Sequence, residues 1–432
     1  MKNLWRWAPV TNRLLADFCD KLSPYQRLFV GFSGGLDSTV LLHSIAQHCN
    51  KVIAVHIHHG LSPNAQAWQR HCQTICENWS IPFVSKQITL STRTNIEEEA
   101  RNARYKAFAE LLQAEDCLLL GHHLNDQAET LLLQLFRGAG LDGLSAMACQ
   151  RTLGSAQVLR PLLSFSRSHL EDYARFHGLH WIEDESNQDK GFSRNFLRQE
   201  IIPALETRWP GLSANLVRTT RHCQEAQSNL DDLALIDCPS LGQPCTVLPL
   251  SALSFLNTSR SKNVLRYWLK CNQIKVPGAV FLDKLQQEVI LARADGAPKL
   301  SLGEYAIRRY QQSLYLVKEA ACNVPPTRWT HFPAPLTLEG LGRIEARQST
   351  DGLFLPENAV VEIRFRTGGE TLLWHGQTKQ LKKLFQEWQV LPWLRDQIPL
   401  LYLNNQLAAV VGYAIADPFY RKEHNGYQLS HD

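Results

Sequence analysis

The strongest chemical signal in the chain is a short segment of glycines, serines and one aspartate. It reads SGGLDS at residues 33–38, between an apolar run, Leu28 to Phe32, and a helix-period stretch. The glycines let the backbone approach an anion, and the amides of the helix terminus add positive potential, so the segment predicts a phosphate cradle. It differs from the loop G-x-x-x-x-G-K-[ST], because Asp37 takes part instead of a lysine. Capping of the helix by Ser33 and Asp37 is the alternative interpretation.

Polar side chains also follow two other apolar runs. The first run continues into HIHHGL, where period-two spacing puts His56 and His58 on one face of a strand; plain packing histidines are an equal alternative. The second run leads into GHHLNDQAET, which contains His122, His123, Asp126, Gln127, Glu129 and Thr130. A polar cluster at the end of a buried strand costs stability unless it is satisfied, so this segment predicts a site.

Arginines recur at helical spacing in two segments. Arg101 and Arg104 share a face in NIEEEARNARYKAF, either to contact phosphates of ATP or RNA or as part of a solvated helix. Arg194 and Arg198 share a face with Asn195 in a later helix. Guanidinium groups in such numbers favour contact with an anion or with RNA.

The elements that must position these groups alternate between strands and helices over the first ~190 residues, which predicts a parallel sheet covered on both faces. Ligands bind such sheets at the carboxyl ends of the strands. The predicted fold class is α/β: a doubly wound parallel sheet, a mainly helical middle domain and a small α+β C-terminal domain. The predicted boundaries are 1–212, 213–320, a proline-rich linker at 321–335, and 336–432.

Composition excludes several classes of protein. With 44% hydrophobic and 20% charged residues in 432, the chain is neither disordered nor collagen-like, and no apolar run reaches the ~18 residues of a membrane span. Eleven cysteines without framework spacing, and no signal-peptide pattern, favour the cytoplasm. The net charge of +4 arises in residues 216–318, where 13 Lys and Arg face 8 Asp and Glu. Such a local excess suits a polyanion, although a solvated basic face would also explain it.

The segment SGGLDS resembles the PP-loop of ATP pyrophosphatases, and a larger set of motifs narrows the resemblance. The set comprises SGGLDS, HIHHGL, N-x-E-x-x-A-R-x-x-R-Y, GHHLNDQAET, RGAGLDGL, RPLL, D-x-SN-x-x-x-x-x-x-RN-x-x-R and, near the C-terminus, RTGGE and GQTKQLKKLFQEWQVLPWLRDQIPLL. Together they closely resemble the tRNA(Ile)-lysidine synthetases. The match spans roughly residues 28 to 205 and, more weakly, the C-terminal segment. Glu185 stands where many members have proline.

The resemblance implies roles for particular residues. The expected catalytic residues are Asp37, Asp126, Glu129 and Arg194, with Asp126 and then Glu129 as the candidates for holding lysine. ATP would be bound by Ser33, Gly34, Gly35, Leu36, Asp37, Ser38 and His58, and Mg²⁺ by Asp37. The other substrate contacts are expected from Arg101, Arg104, His122, Asn187, Arg198, Lys379, Lys382 and Lys383, the three lysines being presented by a helix.

The implied reaction has two steps on the wobble cytidine of a tRNA(Ile) with a CAU anticodon. ATP first adenylates the cytosine and releases pyrophosphate, and L-lysine then displaces AMP to give lysidine. The expected partners are this tRNA and free lysine, with no DNA and no membrane, and the oligomeric state is left open.

Three other functions stay open at this point. A tRNA thiolase of the same superfamily would need paired cysteines, and the nearest pair is Cys72 and Cys76. A non-catalytic tRNA-binding nucleotide sensor is a second possibility. An amidotransferase or synthetase that acts on a small metabolite is the third.

Overall fold

The protein is described here by a computed structural model, which covers residues 14–58, 64–89, 96–183, 185, 189–293, 296–319, 325–422 and 426–431. The chain divides into two compact units, of which the first ends at Asp232 and the second begins at Leu233. In the described segments, no helix combines the length and the apolar composition needed to cross a membrane.

The first unit is built on one six-stranded sheet. Its strands lie in the order β3-β2-β1-β4-β6-β5, and all neighbours are parallel except the edge pair β5 and β6. The central strands are almost continuously apolar, because a parallel sheet is buried on both faces. The strands are β1 (Arg27–Gly31), β2 (Val52–His58), β3 (Phe83–Gln87), β4 (Asp116–Leu119), β5 (Gln150–Leu153) and β6 (Ala156–Leu159).

Helices cover both faces of this sheet, as predicted for a doubly wound fold. One face packs against Leu41 and Tyr173, and the opposite face packs against Tyr105 and Phe108. The helices are α1 (Ala16–Cys19), α2 (Leu36–Ala46), α3 (Ala65–Asn78), α4 (Ile96–Ala109), α5 (Leu124–Phe136), α6 (Leu141–Leu144), α7 (Arg167–Phe176), α8 (Ser193–Phe196), α9 (Ile202–Arg208) and α10 (Leu212–Asp237). A π-helical turn, Leu197–Ile201, joins α8 to α9.

The strand order places the two most polar segments of the sequence side by side. The chain runs outward from β1 to β2 and β3, and then returns to add β4 on the other side of β1. Such a switch point leaves a crevice at the carboxyl ends of the two central strands. The SGGLDS segment follows β1 and the GHHLND segment follows β4, so both open into this crevice.

The second unit combines helices with several antiparallel sheets. Its helices are α11 (Thr258–Cys271), α12 (Ala279–Lys284) and α13 (Leu381–Glu387). Its strands are β7 (Val247–Pro249), β8 (Lys299–Leu302), β9 (Tyr305–Tyr310), β10 (Ser313–Lys318), β11 (Thr327–Arg328), β12 (Leu336–Leu338), β13 (Gly342–Ser349), β14 (Gly352–Leu353), β15 (Val361–Arg364), β16 (Thr371–Trp374), β17 (Gln377–Gln380), β18 (Leu400–Leu403), β19 (Gln406–Val410), β20 (Ala414–Ile415), β21 (Tyr420–Arg421) and β22 (Gly426–His431).

These strands form one sheet in the middle region and three in the C-terminal region. The middle sheet, β7-β10-β9-β8, packs with α11 around the fully buried Trp268. The C-terminal strands form two five-stranded sheets and the hairpin β16-β17. The α/β class with an α+β C-terminal region is therefore confirmed.

The predicted domain boundaries remain predictions, but two local features bear on them. The predicted boundary between residues 212 and 213 lies at the start of α10, and the division into units falls within this helix. Inside the predicted linker, Trp329 is buried and its indole donates to the carbonyl of Ala334. Directly before Trp329, strand β11 pairs with β15. This part of the predicted linker therefore packs with the C-terminal sheets.

Candidate active site at the carboxyl end of the sheet

The loop after β1 is held by hydrogen bonds among its own residues. The hydroxyls of Ser33 and Ser38 lie 3.0 Å apart, and the amide of Ser33 donates to the Ser38 hydroxyl at 3.2 Å. The carbonyl of Gly35 accepts from the amide and the hydroxyl of Thr39 at 3.0 and 2.9 Å. Gly35 is the N-cap of α2 and no side chain caps this helix. The first amides of α2 would therefore point toward an anion bound at the loop.

Two glycines permit the close packing of this loop. Gly34 has a φ of +84°, and a Cβ atom there would lie 2.8 Å from the Sγ of Cys72. Gly121, two residues after the end of β4, lies so close to the loop that a Cβ atom would meet the backbone of Asp37 at 3.1 Å. A larger residue at either position would displace the loop from the sheet.

Asp37, His123 and Asp126 form a polar cluster at the crevice between β1 and β4. His123 Nδ1 accepts a hydrogen bond from the backbone amide of Asn125 at 3.2 Å. Nε2 of the same ring lies 3.6 Å from Asp37 Oδ2 and 3.7 Å from Asp126 Oδ2. The backbone amide of His123 donates to Asp126 in return, which completes a capping box at the start of α5. The buried His123 ring therefore lies between the phosphate loop and the carboxylate of α5, and its Nε2 has no hydrogen-bond partner among the described residues.

The two carboxylates differ in their charge environment. Burial raises the pKa of Asp37, whereas His123 and Arg167 lower it. Arg167 Nη1 lies 3.9 Å from Asp37 Oδ1. Burial also disfavours the charged form of Asp126, but His123 and Arg194 outweigh it and the pKa of that carboxyl is lowered. Asp126 therefore carries its negative charge at neutral pH.

A buried ion-pair network lies one turn further along α5. Both oxygens of the fully buried Glu129 are engaged, since Arg198 donates to them at 2.7 and 2.9 Å and Arg194 donates at 2.9 Å. Arg198 reaches Asp126 as well, at 3.2 Å, and Arg194 donates to the hydroxyl of Thr130 at 2.9 Å. The network joins α5 to the segment that contains the π-helical turn, and thereby fixes both arginines at the site.

Comparisons with known proteins show the family to which the chain belongs. A family model described as a PP-loop domain matches residues 8–205, a TilS substrate binding domain matches 248–315, and a TilS substrate C-terminal domain matches 361–430. A tRNA(Ile)-lysidine synthase from Legionella pneumophila is 49% identical over 417 residues, which are 95% of this chain and 96% of the relative. A protein of the same name from Coxiella burnetii is 39% identical over 98% of this chain and 97% of its own length. Another from Salmonella typhimurium is 40% identical over 94% of this chain and 96% of its own length. The chain belongs to the tRNA(Ile)-lysidine synthase family.

The histidines of this family member differ in their surroundings. His56 is buried, and burial lowers its pKa. Its Nδ1 is hydrogen-bonded to the carbonyl of Phe32 at 2.9 Å, which supports the residue directly before the phosphate loop. His58 ends β2, and its buried Nδ1 has no hydrogen-bond partner among the described residues. Burial, together with the positive charges of Arg160 and Arg104, lowers the pKa of His122 to about 3. The negative charge of Asp126 acts in the opposite direction. His122 is therefore neutral at physiological pH.

The structure brings together most of the residues predicted for the site. Ser33, Gly34, Gly35, Leu36, Asp37 and Ser38 lie at the loop, and Asp126, Glu129, Arg194 and Arg198 lie at the start of α5 and against it. Arg101 and Arg104 are on α4, beside Tyr105. Asn187 lies outside the described residues.

The predicted lysines lie in the second unit, and one of them needs a correction. Lys382 and Lys383 are exposed on α13, as expected. Lys379 was predicted on the same helix but lies on strand β17, because the helix begins only at Leu381. Its ammonium group pairs with Glu387 at 2.8 Å and lies 5.5 Å from the centre of the Trp374 ring.

Two residues of the site were missed as functional candidates from the sequence. His123 was recognised as part of the polar segment, but its position between two carboxylates depends on the pairing of β1 with β4. Arg167 approaches Asp37 from α7, 130 residues away in the chain. The histidine pair in GHHLND was a usable signal for His123, whereas a lone arginine in an amphipathic helix gave none for Arg167.

Proposed function

We propose that this protein ligates L-lysine to the wobble cytidine of a tRNA(Ile) with a CAU anticodon, at the cost of ATP cleaved to AMP and pyrophosphate. The observation that carries the proposal is the position of the phosphate loop beside the Asp37–His123–Asp126 cluster, in a chain that belongs to the tRNA(Ile)-lysidine synthase family. ATP use follows from the PP-loop family, and tRNA binding from the two substrate-domain matches.

In the first step, the 2-oxygen of cytosine attacks the α-phosphorus of ATP and pyrophosphate leaves. The amides of the loop and of the first turn of α2, with the Ser33 and Ser38 hydroxyls, would hold the departing pyrophosphate. Such preorganised donors stabilise charge that develops in the transition state, without covalent participation by the protein.

The residues at the loop also fit a magnesium ion. Asp37 Oδ1 is buried, has no hydrogen-bond partner among the described residues, and lies beside the phosphate cradle. Mg²⁺ is usually held by one or two carboxylates together with substrate phosphates, so the absence of a cluster of three ligands in the described segments is compatible with it. When bound there, the ion would neutralise phosphate charge.

In the second step, the ε-ammonium of lysine first releases a proton to solvent. The resulting amine attacks the activated C2 of cytosine, a C2–N bond forms, and the C2–O bond breaks as AMP leaves. Asp126 is the group best placed to bind the lysine ammonium, because it keeps its negative charge and lies at the crevice. Glu129 has both oxygens engaged by arginines, so its role is to position Arg194 and Arg198. These arginines would clamp phosphate near the reacting base.

The thiolase alternative finds no support at the cysteine pair. Cys72 and Cys76 are buried in the first unit, and burial raises the pKa of each to about 12. A thiol of this kind is a poor nucleophile. Cys72 instead packs beneath Gly34.

The test is incubation of the full chain with ATP, Mg²⁺, ¹⁴C-lysine and bacterial tRNA, followed by nucleoside analysis. We expect labelled lysidine in the CAU-anticodon tRNA(Ile) only. Pyrophosphate release without lysine incorporation would contradict the proposed nucleophile, and the absence of tRNA-dependent pyrophosphate release would contradict the RNA substrate.

An Asp126→Asn variant separates the two steps. We expect it to retain tRNA-dependent pyrophosphate release but to lose most lysine incorporation, because the ammonium-binding charge is gone. Asp142→Asn is the matched control, since Asp142 is exposed on α6. Equal loss of both steps would assign Asp126 to adenylation instead.

A further inference from the structure

Four arginines converge on one tyrosine in the first unit. The guanidinium carbons of Arg151 and Arg101 lie 4.1 and 5.4 Å from the centre of the Tyr105 ring. Arg160 donates to the hydroxyl of the same tyrosine at 3.4 Å, and Arg104 is its neighbour in the chain. We call Arg101, Arg104, Arg151 and Arg160 the arginine cluster.

In the part of the chain that the structure describes, the arginine cluster has no carboxylate partner. Among the described residues, no Asp or Glu oxygen lies within 4.0 Å of any of its four guanidinium groups. The Nε atoms of Arg151 and Arg160 are buried and without a hydrogen-bond partner in those segments. Arg194 and Arg198, by contrast, are satisfied by Glu129. Burying positive charge without compensation is costly, so the arrangement calls for an external anion.

The electrostatic consequences of this crowding are visible on its members. Burial lowers the pKa of Arg104 and of Arg151, and repulsion from Arg101 adds to the effect in both cases. Burial would raise the pKa of the Tyr105 hydroxyl, but Arg160, Arg151 and Arg101 outweigh it and the pKa is lowered. The cluster thus stabilises negative charge at this position.

The position of the arginine cluster relates it to the proposed reaction. Arg160 directly follows β6, and Arg151 on the antiparallel β5 pairs with Val158 near that same strand end. The charges of Arg160 and Arg104 both lower the pKa of His122, which follows β4. The arginines whose charges lower the pKa of Asp37, at the phosphate loop, are instead Arg167 and Arg198. The cluster therefore borders the crevice but is separate from the donors that the loop itself supplies.

We propose that the arginine cluster is a binding site for a phosphate of the tRNA backbone, next to the crevice where the base reacts. Planar guanidinium forks match phosphate oxygens in pairs, and several of them can share one phosphodiester. A phosphate of ATP has the same chemistry, and the experiment separates the two sources. The inference rests on the proposed function, because it assumes an RNA substrate.

The test compares Arg151→Gln and Arg101→Gln with Arg70→Gln. This control changes an exposed arginine on α3 that has no ion pair with any described residue. We expect the two cluster variants to weaken tRNA binding about 5- to 10-fold at moderate salt. The slope of log Kd against log salt should fall by about 0.7 to 1 for each arginine removed. The KM for ATP should not change, and Arg70→Gln should resemble the wild type.

Thermal stability gives an independent readout. Removing one of four clustered like charges should leave the melting temperature of the free protein unchanged or raise it, although tRNA binding becomes weaker. Arg151→Lys keeps the charge but not the fork, so its tRNA affinity should lie between those of the wild type and Arg151→Gln.

Two results would overturn the inference. A raised KM for ATP with unchanged tRNA affinity would assign the cluster to ATP. A lowered melting temperature with unchanged affinity for both ligands would make the cluster structural. If the wild type incorporates lysine and the variants bind tRNA normally, the proposed function stands and only this inference fails.

Discussion

Ionisable side chains are held differently in the two units of the molecule. In the first unit, burial is the leading cause of the pKa shifts of Asp37, His43 and His122. In the second unit, hydrogen bonds within ion pairs are the leading cause for Arg260 and Lys318, although burial leads for Glu370 and Tyr402. The charged groups beside the candidate site in the first unit therefore form a buried network, whereas Lys382 and Lys383 of the second unit are exposed to solvent.

This difference predicts how each unit responds to substitution. A buried network fails when one member is removed, because the partners left behind cannot be solvated. An exposed lysine contributes to a long-range field, and its loss is partly compensated by its neighbours. Substitutions in the buried network of Glu129, Arg194 and Arg198 should therefore change chemistry and folding, whereas those of the exposed lysines on α13 should change tRNA affinity and its salt dependence.

The largest effect is expected from Glu129→Gln. The substitution leaves Arg194 and Arg198 without their buried counter-charge, which costs about 3 kcal/mol or more for a buried ion pair. We expect a clear fall in the melting temperature and nearly complete loss of lysidine formation. Glu110→Gln is the control, because its pair with Lys86 is at the surface. Similar melting temperatures for the two variants would contradict the buried-network interpretation.

The next effect is expected from Gly34→Ala. The new Cβ atom would meet Cys72 Sγ at 2.8 Å in a backbone conformation of positive φ, so the loop must move. A displacement of this kind should reduce tRNA-dependent pyrophosphate release at least about 100-fold. Gly154→Ala is the control, because Gly154 also has a positive φ, +59°, but a Cβ atom there would meet no atom within 4 Å. This substitution should lower the melting temperature without reducing pyrophosphate release. Equal activity of the two variants would show that the loop tolerates the added atom.

An intermediate effect is expected from acid pH. Burial, with a smaller contribution from His177, lowers the pKa of His43 to about 4; its ring also faces Trp79 and bonds to Tyr173. The unfolded chain, with an ordinary histidine pKa near 6.5, binds more protons below that pH. Stability should therefore be fully present above about pH 6.5 and fall toward pH 4.

The matched variant for this effect is His43→Phe, which keeps an aromatic ring without a titrating group. Its melting temperature should fall less between pH 7 and pH 5 than that of the wild type. Substitution of His222, which is exposed on α10, should leave the pH dependence as it is. A pH dependence unaltered by His43→Phe would place its origin in other groups.

A smaller effect is expected from removal of both Lys382 and Lys383. These exposed lysines of α13 should contribute phosphate contacts, so the double change to Gln should weaken tRNA binding by several-fold. The salt slope should fall by about 1 to 2, with kcat and the melting temperature unchanged. A reduced kcat at saturating tRNA would show that α13 influences the reaction itself.

The smallest effect is expected from Lys379→Gln. This lysine is neutralised by Glu387 and packs on Trp374, so tRNA affinity should change less than about two-fold, as for an exposed ion pair. Glu387→Gln, which frees the lysine, should strengthen tRNA binding slightly. A large loss with Lys379→Gln would mean that tRNA displaces Glu387 from the pair.

Much of the site could be predicted because its chemistry is local in the sequence. Asp37 lies within its loop motif, and the pairs Asp126 with Glu129 and Arg194 with Arg198 follow helical spacing. The position of Lys379 could not be predicted in the same way. A hairpin with β16 extends to Gln380, and this pairing overrides the helical pattern of the residues that follow.

The sequence by itself determined the alternation of strands and helices, the phosphate loop and the polar ends of β1 and β4, because apolar periodicity and glycine placement act over a few residues. Only the tertiary structure decided that β4 pairs with β1 and that His123 therefore lies between Asp37 and Asp126. It alone brought Arg151 and Arg160 to Tyr105, some 50 residues away in the chain. Contacts of this kind depend on which strands become neighbours, and strand order is a property of the whole packed sheet that no local pattern encodes.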